Sequence, residues 1–118
     1  MRTSRDKRGS EGPEHALLKA VLFDTLVRMG RKARKEHVVP SMTEAGKEWV
    51  IDVADLTDPA HPVYYEVQRG SNKSFRTKQR AFARATGRDL VPVYIDELPR
   101  SVRANMVQLR QWIEERVM

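Results

Sequence analysis

Two short apolar segments, each containing one carboxylate, constrain the fold of this chain most strongly. Residues 49–53 read WVIDV and residues 63–68 read VYYEVQ, and both are rich in the β-branched and aromatic residues typical of strands. A turn signal, TDPAHP, separates them and predicts a hairpin that places Asp52 near Glu66. Opposed side chains of an antiparallel pair stand about 5 Å apart, so the two acids would repel unless a cation lay between them.

Helical and strand patterns around these segments predict an α/β fold with the order α-β-β-β-α-β-α and a mixed sheet flanked by helices. Pro13 is expected to open the first helix, and Gly87 to end the second major helix. Pro92 favours an edge position for the last strand. The predicted elements are helix 13–29, strand 38–40, strand 47–56, strand 63–69, a helix from about residue 72 to 86, strand 90–95 and helix 102–116.

Composition restricts the partners and the chemistry. The chain has 118 residues with 22 Lys and Arg against 16 Asp and Glu, a net charge of +6 that favours nucleic acid first and an anionic membrane second. The absence of cysteine excludes disulfides, thiolate zinc sites and a cysteine nucleophile. No apolar run approaches a membrane span, so we expect a soluble, cytoplasmic, nucleoid-associated protein. Residues 1–12 predict a flexible basic arm, which is either a solvated start or a segment that binds phosphate. Residues 13–118 are predicted to form one domain.

A basic stretch follows the second acidic strand. Residues 67–88 contain seven Lys or Arg residues and no acid, which favours contact with phosphate over a merely solvated face. Phe75 and Phe82 are expected in the core rather than stacked on bases. The predicted DNA-binding residues are Arg69, Lys73, Arg76, Lys78, Arg80 and Arg84.

The ordered acids resemble the motif of the PD-(D/E)XK nuclease superfamily. That motif is an acid on the first helix, an Asp in one strand and Glu-x-Lys in the next; here Glu14, Asp52 and the run from Glu66 to Gln68 stand in these places. The layout of residues 13–95 is similar to archaeal Holliday junction resolvases, and residues 66–95 also resemble virus-type replication-repair nuclease domains. The resemblance implies a restriction-endonuclease-like fold and a metal-dependent DNA endonuclease that acts on branched or duplex DNA.

The resemblance also implies a role for each site residue. Asp52, Glu66 and the backbone carbonyl of Val67 would bind Mg²⁺ or Mn²⁺, and Glu14 would hold a metal-bound water or a second ion. Gln68 replaces the usual catalytic lysine, and an amide carries no charge. The missing cation is expected from the following helix, where Lys73 is favoured over Lys78 because it lies nearer the strand end.

Other interpretations stay open at this point. Without its lysine the chain could be a non-catalytic DNA-binding or assembly module, or an RNA- or ribosome-associated basic protein. Asp52 and Glu66 could be solvated strand ends, Glu14 an acid that suits the helix dipole, and Asp55 a turn or surface residue. His15 is expected only to face solvent or a neighbour. A homodimer is predicted, in which the last helix, with Trp112 and Ile113, either contacts the partner or covers the sheet.

Overall fold

A computed structural model describes residues 12–118, so the predicted basic arm, apart from Gly12, lies outside the described residues. The four strands form one mixed sheet in the order β1-β2-β3-β4, in which β4 is parallel to β3 and the other pairs are antiparallel. The predicted α/β architecture is confirmed. In chain order the elements are α1 (Pro13–Arg28), β1 (Ala33–Pro40), β2 (Glu48–Asp55), β3 (Val63–Gln68), α2 (Lys73–Thr86), β4 (Leu90–Tyr94), a 3₁₀ turn (Ile95–Glu97), α3 (Arg100–Arg103) and α4 (Met106–Val117).

Local signals in the sequence set the ends of the two long helices. Pro13 occupies the first turn of α1, where its missing N–H removes no helical hydrogen bond. The Asn72 side chain accepts a hydrogen bond of 2.8 Å from the Phe75 N–H at the start of α2. Gly87 ends α2 with a φ of 72°, a left-handed conformation that glycine adopts without steric cost. No helix within residues 12–118 is long and apolar enough to cross a membrane.

One apolar cluster lies on each face of the sheet. The α1 cluster joins α1 and α4 to one face, and the α2 cluster joins α2 to the other. Phe75 and Phe82 are 3% and 0% exposed, which confirms their predicted core position. The α1 cluster contains Leu18, Leu22, Leu26, Val53, Tyr65, Val67, Leu109, Trp112 and Ile113 among others, and the α2 cluster contains Val39, Ile51, Ala54, Tyr64, Phe75, Phe82 and Leu90.

The hairpin of β1 and β2 bends at Glu36 and Asp52. Ile51 packs in the α2 cluster and Val53 in the α1 cluster, although residues two apart in a regular strand face the same side. The pairing of β1 with β2 is interrupted at Glu36 and Asp52, and Glu36 has a φ of 53°, which is uncommon for a residue with a side chain. This irregularity reverses the alternation, so the far half of the hairpin turns onto α2, where Trp49 packs edge-on against Phe82.

The C-terminal region differs from the single predicted helix. Arg103 ends the short helix α3, and α4 begins at Met106 because the Asn105 side chain accepts a 3.1 Å hydrogen bond from the Gln108 N–H and caps a new helix. Trp112 and Ile113 are 7% and 0% exposed. Helix α4 therefore covers the sheet, and these two side chains do not form an exposed dimer contact.

Two further predictions from the sequence need correction. The strand predicted at residues 38–40 is longer and begins at Ala33, because β1 pairs with β2 along almost its whole length. Asp55 is 2% exposed rather than a surface residue. Its carboxylate accepts hydrogen bonds from the Arg31 guanidinium at 2.7 Å and from the Thr57 N–H at 3.0 Å, which offset the cost of burying its charge.

Replacing Asp55 should reveal a pH-dependent contribution to stability. Burial alone would raise the pKa of Asp55, but hydrogen bonds from Thr57 and Arg31 outweigh it and hold the pKa below its ordinary value. A carboxyl whose pKa is lower in the folded than in the unfolded state stabilises the fold at pH values above its unfolded-state pKa of about 3.9. This stabilisation is lost as the pH falls through the folded-state pKa. We expect Asp55→Asn to lower the free energy of unfolding by about 2 kcal/mol at pH 7 and by less at pH 3.

Urea denaturation at the two pH values measures this difference. Asp89→Asn is the matched control, because Asp89 is exposed and forms no hydrogen bond or ion pair within residues 12–118. A loss for Asp55→Asn that is the same at both pH values would contradict the expected role of the ionised carboxylate.

The bend at Glu36 can be tested with two substitutions at one position. Both Glu36→Gly and Glu36→Ala remove the ion pair with Lys19, but only glycine relieves the left-handed backbone. Glu36→Gly should therefore be more stable than Glu36→Ala by about 1 kcal/mol in chemical denaturation. An alanine variant at least as stable as the glycine variant would show that the backbone is not left-handed at this position.

Candidate functional site

Two acids face each other at the point where β2 leaves β3. The paired residues end at Val53 and Tyr65, and the next pair in the same register is Asp52 with Glu66. There the Asp52 N–H points to Glu66 Oε1 at 3.4 Å, and the Val67 N–H donates to Asp52 Oδ2 at 2.9 Å. Each carboxylate thus takes the place of a backbone carbonyl for an N–H of the other strand. The structure brings together the two acids that the sequence selected.

A lysine from α2 contacts the more buried acid. Glu66 is 6% exposed, and its Oε2 lies 2.5 Å from the Lys78 Nζ. Lys78 is three residues after Phe75 and four before Phe82, so it shares their inward face of the helix. Lys73 is instead exposed at the first position of α2 and forms no hydrogen bond or ion pair within residues 12–118. The preference for Lys73 over Lys78 is therefore corrected.

His15 is a site residue that the sequence reasoning missed. Its Nε2 lies 3.0 Å from the Val67 carbonyl oxygen and 3.4 Å from Asp52 Oδ2. One turn later on α1, Lys19 is largely buried and its Nζ lies 2.5 Å from Glu36 Oε2. The spacing of four residues between His15 and Lys19 was the available signal, since it places both on one helix face directly after the acid that the motif selected.

Among the described residues, the hydrogen bonds of the Glu14 carboxylate link it to two arginines and not to the residues around Asp52 and Glu66. Its Oε1 accepts from the Arg69 guanidinium at 3.1 Å, and its Oε2 accepts from the Arg103 guanidinium at 2.6 Å. Arg69, selected as a DNA-binding residue, is thus engaged by an acid. Of these two neighbouring residues on α1, His15 reaches the strands, whereas Glu14 contacts two arginines instead of the expected metal site.

The other selected residues lie at the end of β3 and along α2. Gln68 is half-buried beside Tyr94 of β4 in the register, and its amide forms no hydrogen bond within residues 12–118. Helix α2 contains no acid along its length. Its exposed cations are Lys73, Arg76, Arg80 and Arg84.

The two carboxylates have opposite pKa shifts. Burial raises the pKa of Glu66, and repulsion from Asp52 raises it further. Together these two effects exceed the decrease in pKa that Lys78 causes. Burial also raises the pKa of Asp52. Hydrogen bonds from His15 and from the Val67 N–H outweigh this effect and hold the pKa of Asp52 below its ordinary value. Asp52 therefore favours the charged form, while Glu66 resists losing its proton. A cation shared by both would relieve their repulsion.

The chemistry of these donors fits a hard divalent cation. Two carboxylates and the Val67 carbonyl are the oxygen ligands that Mg²⁺ prefers, with water or phosphate completing its coordination. Within the part of the chain that the structure describes, no three acidic or imidazole side chains are grouped so that they could hold a metal ion.

Comparisons of the chain with protein-family models, with curated proteins and with solved structures found no match. The function is therefore inferred from the geometry and charge of the site.

Lys78 should control the ionisation of Glu66. Lys78→Met removes the ammonium that stabilises the Glu66 carboxylate, so the pKa of Glu66 should rise further above its ordinary value. Lys73→Met is the matched control, because it removes the same charge from the same helix without a contact to Glu66. A pH titration followed by carboxyl ¹³C NMR measures the pKa. Equal pKa values of Glu66 in the two variants would contradict the contact.

Proposed function

We propose that this chain is a metal-dependent DNA endonuclease with a restriction-endonuclease-like fold, which hydrolyses phosphodiesters in branched or duplex DNA. One observation carries the proposal: the carboxylates of Asp52 and Glu66 and the ammonium of Lys78 converge where β2 leaves β3. The order of helices and strands and the mixed sheet agree with the architecture of the PD-(D/E)XK superfamily.

Three groups of the chain would hold Mg²⁺ or Mn²⁺, namely the carboxylates of Asp52 and Glu66 and the carbonyl of Val67. When bound, such an ion supplies Lewis-acid polarisation of a phosphodiester and a more acidic water. His15 acts as a positioning residue, because its ring contacts both Asp52 and the Val67 carbonyl and fixes them relative to each other.

Lys78 provides the charge that Gln68 cannot provide. An ammonium at the carboxylate of Glu66 can orient the attacking water and stabilise the negative charge that develops on the phosphate. The Gln68 amide, on the same strand two residues after Glu66, can donate a hydrogen bond to that water or accept one from it. The lysine function is thus moved from the strand to the following helix.

The exposed cations of α2 would bind the DNA backbone. Helix α2 has no acid that could neutralise these cations, so their charges remain available to attract the phosphates of DNA. Such contacts give affinity without sequence readout. Since one site cuts one strand, cleavage of both strands would need a homodimer, and its contact would lie elsewhere than Trp112 and Ile113. A protein of this kind would work beside the nucleoid in the cytoplasm.

Cleavage assays test the proposal. Branched, nicked and linear DNA are incubated with Mg²⁺ or Mn²⁺, with EDTA as the metal-free reaction. We expect Asp52→Asn and Glu66→Gln to lower the rate by about 10³-fold or more, and Lys78→Met by about 10²- to 10³-fold, because each removes a charge aimed at the reacting phosphate or its metal. Lys73→Met should lower the rate less than Lys78→Met does, because it removes one of several phosphate-binding charges and no contact to Glu66.

Two results would count against it. Activity that survives both the Asp52 and the Glu66 substitutions would remove the mechanism. Binding of every DNA without cleavage, under any of the metals, would instead identify a non-catalytic DNA-binding or assembly module on the same fold.

A further inference from the structure

Two arginines from distant parts of the chain form ion pairs with one carboxylate in the first turn of α1. Arg69, at the end of β3, contacts Glu14 Oε1 at 3.1 Å, and Arg103, in α3, contacts Glu14 Oε2 at 2.6 Å. Each oxygen therefore has its own guanidinium. Two guanidinium groups that converge on the oxygens of one anion are also an arrangement that binds phosphate.

This arginine pair lies beside the candidate site. Arg69 follows Gln68 directly and is two residues from Val67, whose carbonyl contacts His15. His15 is in turn the residue after Glu14. A phosphate held by the pair would thus lie at the same end of the sheet as Asp52 and Glu66.

The carboxylate can be exchanged at little cost. The side chains of Glu14, Arg69 and Arg103 are 40%, 62% and 39% exposed. Ion pairs at such exposed positions contribute little to stability, because water and salt screen them. A DNA phosphate offers the same charge, and its binding also releases counterions from the DNA. Asp96 is a second exposed acid near Arg69, with its Oδ1 3.8 Å from the guanidinium, so this contact is also weak and leaves Arg69 able to bind a phosphate.

We propose that Arg69 and Arg103 form a binding subsite for a backbone phosphate of DNA, and that Glu14 occupies this subsite until DNA displaces it. The proposal rests on the proposed function in so far as the ligand is DNA. It gives Glu14 a role opposite to the one implied by the resemblance: the acid competes with the substrate and lowers DNA affinity.

Fluorescence anisotropy with a labelled duplex in EDTA tests the competition without cleavage. Glu14→Gln should lower the Kd about 3- to 10-fold, because it removes the charge of the one carboxylate that both guanidinium groups contact. Glu97→Gln is the matched control, since it changes the net charge equally in an exposed acid that lies 3.8 Å from Arg116. This control should change the Kd less than about twofold.

The arginines are tested in the same assay. Arg69→Ala combined with Arg103→Ala should raise the Kd about 10-fold and lower the slope of log Kd against log salt by about 1 to 2. Duplexes with a 5′-hydroxyl and with a 5′-phosphate should respond alike to Glu14→Gln. A response confined to the 5′-phosphate would overturn the assignment to internal backbone phosphates.

Equal Kd values for Glu14→Gln and Glu97→Gln, or weaker binding by Glu14→Gln, would overturn the proposal. If Glu14→Gln does not fold, the single variants Arg69→Ala and Arg103→Ala test the subsite instead. An unchanged Kd for DNA in both variants would refute the subsite. Wild-type protein that binds no DNA would overturn both this subsite and the nuclease. If Glu14→Gln binds DNA more tightly but the protein cleaves no DNA, the phosphate subsite is supported and only the proposed nuclease activity is refuted.

Discussion

The main features of this fold follow from the separation of β2 from β3 at Asp52. A regular ladder would satisfy the N–H groups of Asp52 and Val67 with backbone carbonyls, but the bend at Glu36 turns the far half of the hairpin onto α2. The two N–H groups then find carboxylates, and the sheet accepts two acids in its interior. Burial of the α2 cluster, with Phe82 at its centre, favours this bend over continued strand pairing.

Basic side chains from both faces of the sheet surround the two acids. Helix α1 brings His15 and Lys19 to the side of Asp52, and α2 brings Lys78 to Glu66. This compensation is incomplete, because the pKa of Glu66 stays above its ordinary value despite the lysine. Under the proposed function, this pair of acids would bind a further cation, and partly unneutralised acids of this kind are found where function limits stability.

The sequence predicted what depends on neighbours along the chain. Asn72 and Gly87 marked the ends of α2, Phe75 and Phe82 its buried face, and the hairpin placed Asp52 near Glu66. It could not give what depends on how distant elements pack. Choosing Lys78 over Lys73 requires knowing which face of α2 meets β3, and the burial of Asp55 requires knowing that Arg31 reaches it from the end of α1. The contact of His15 with Val67 likewise exists only once α1 crosses the sheet.

A crystal of the wild-type protein soaked in Mn²⁺ would test whether Asp52 and Glu66 jointly bind a divalent metal ion, as the proposed function requires. Anomalous diffraction at the manganese edge should show a peak within coordination distance of both carboxylates and of the Val67 carbonyl. Joint metal binding by Asp52 and Glu66 would be refuted if saturating Mn²⁺ gave no peak at this position, or if the only peaks lay at other acids of the surface.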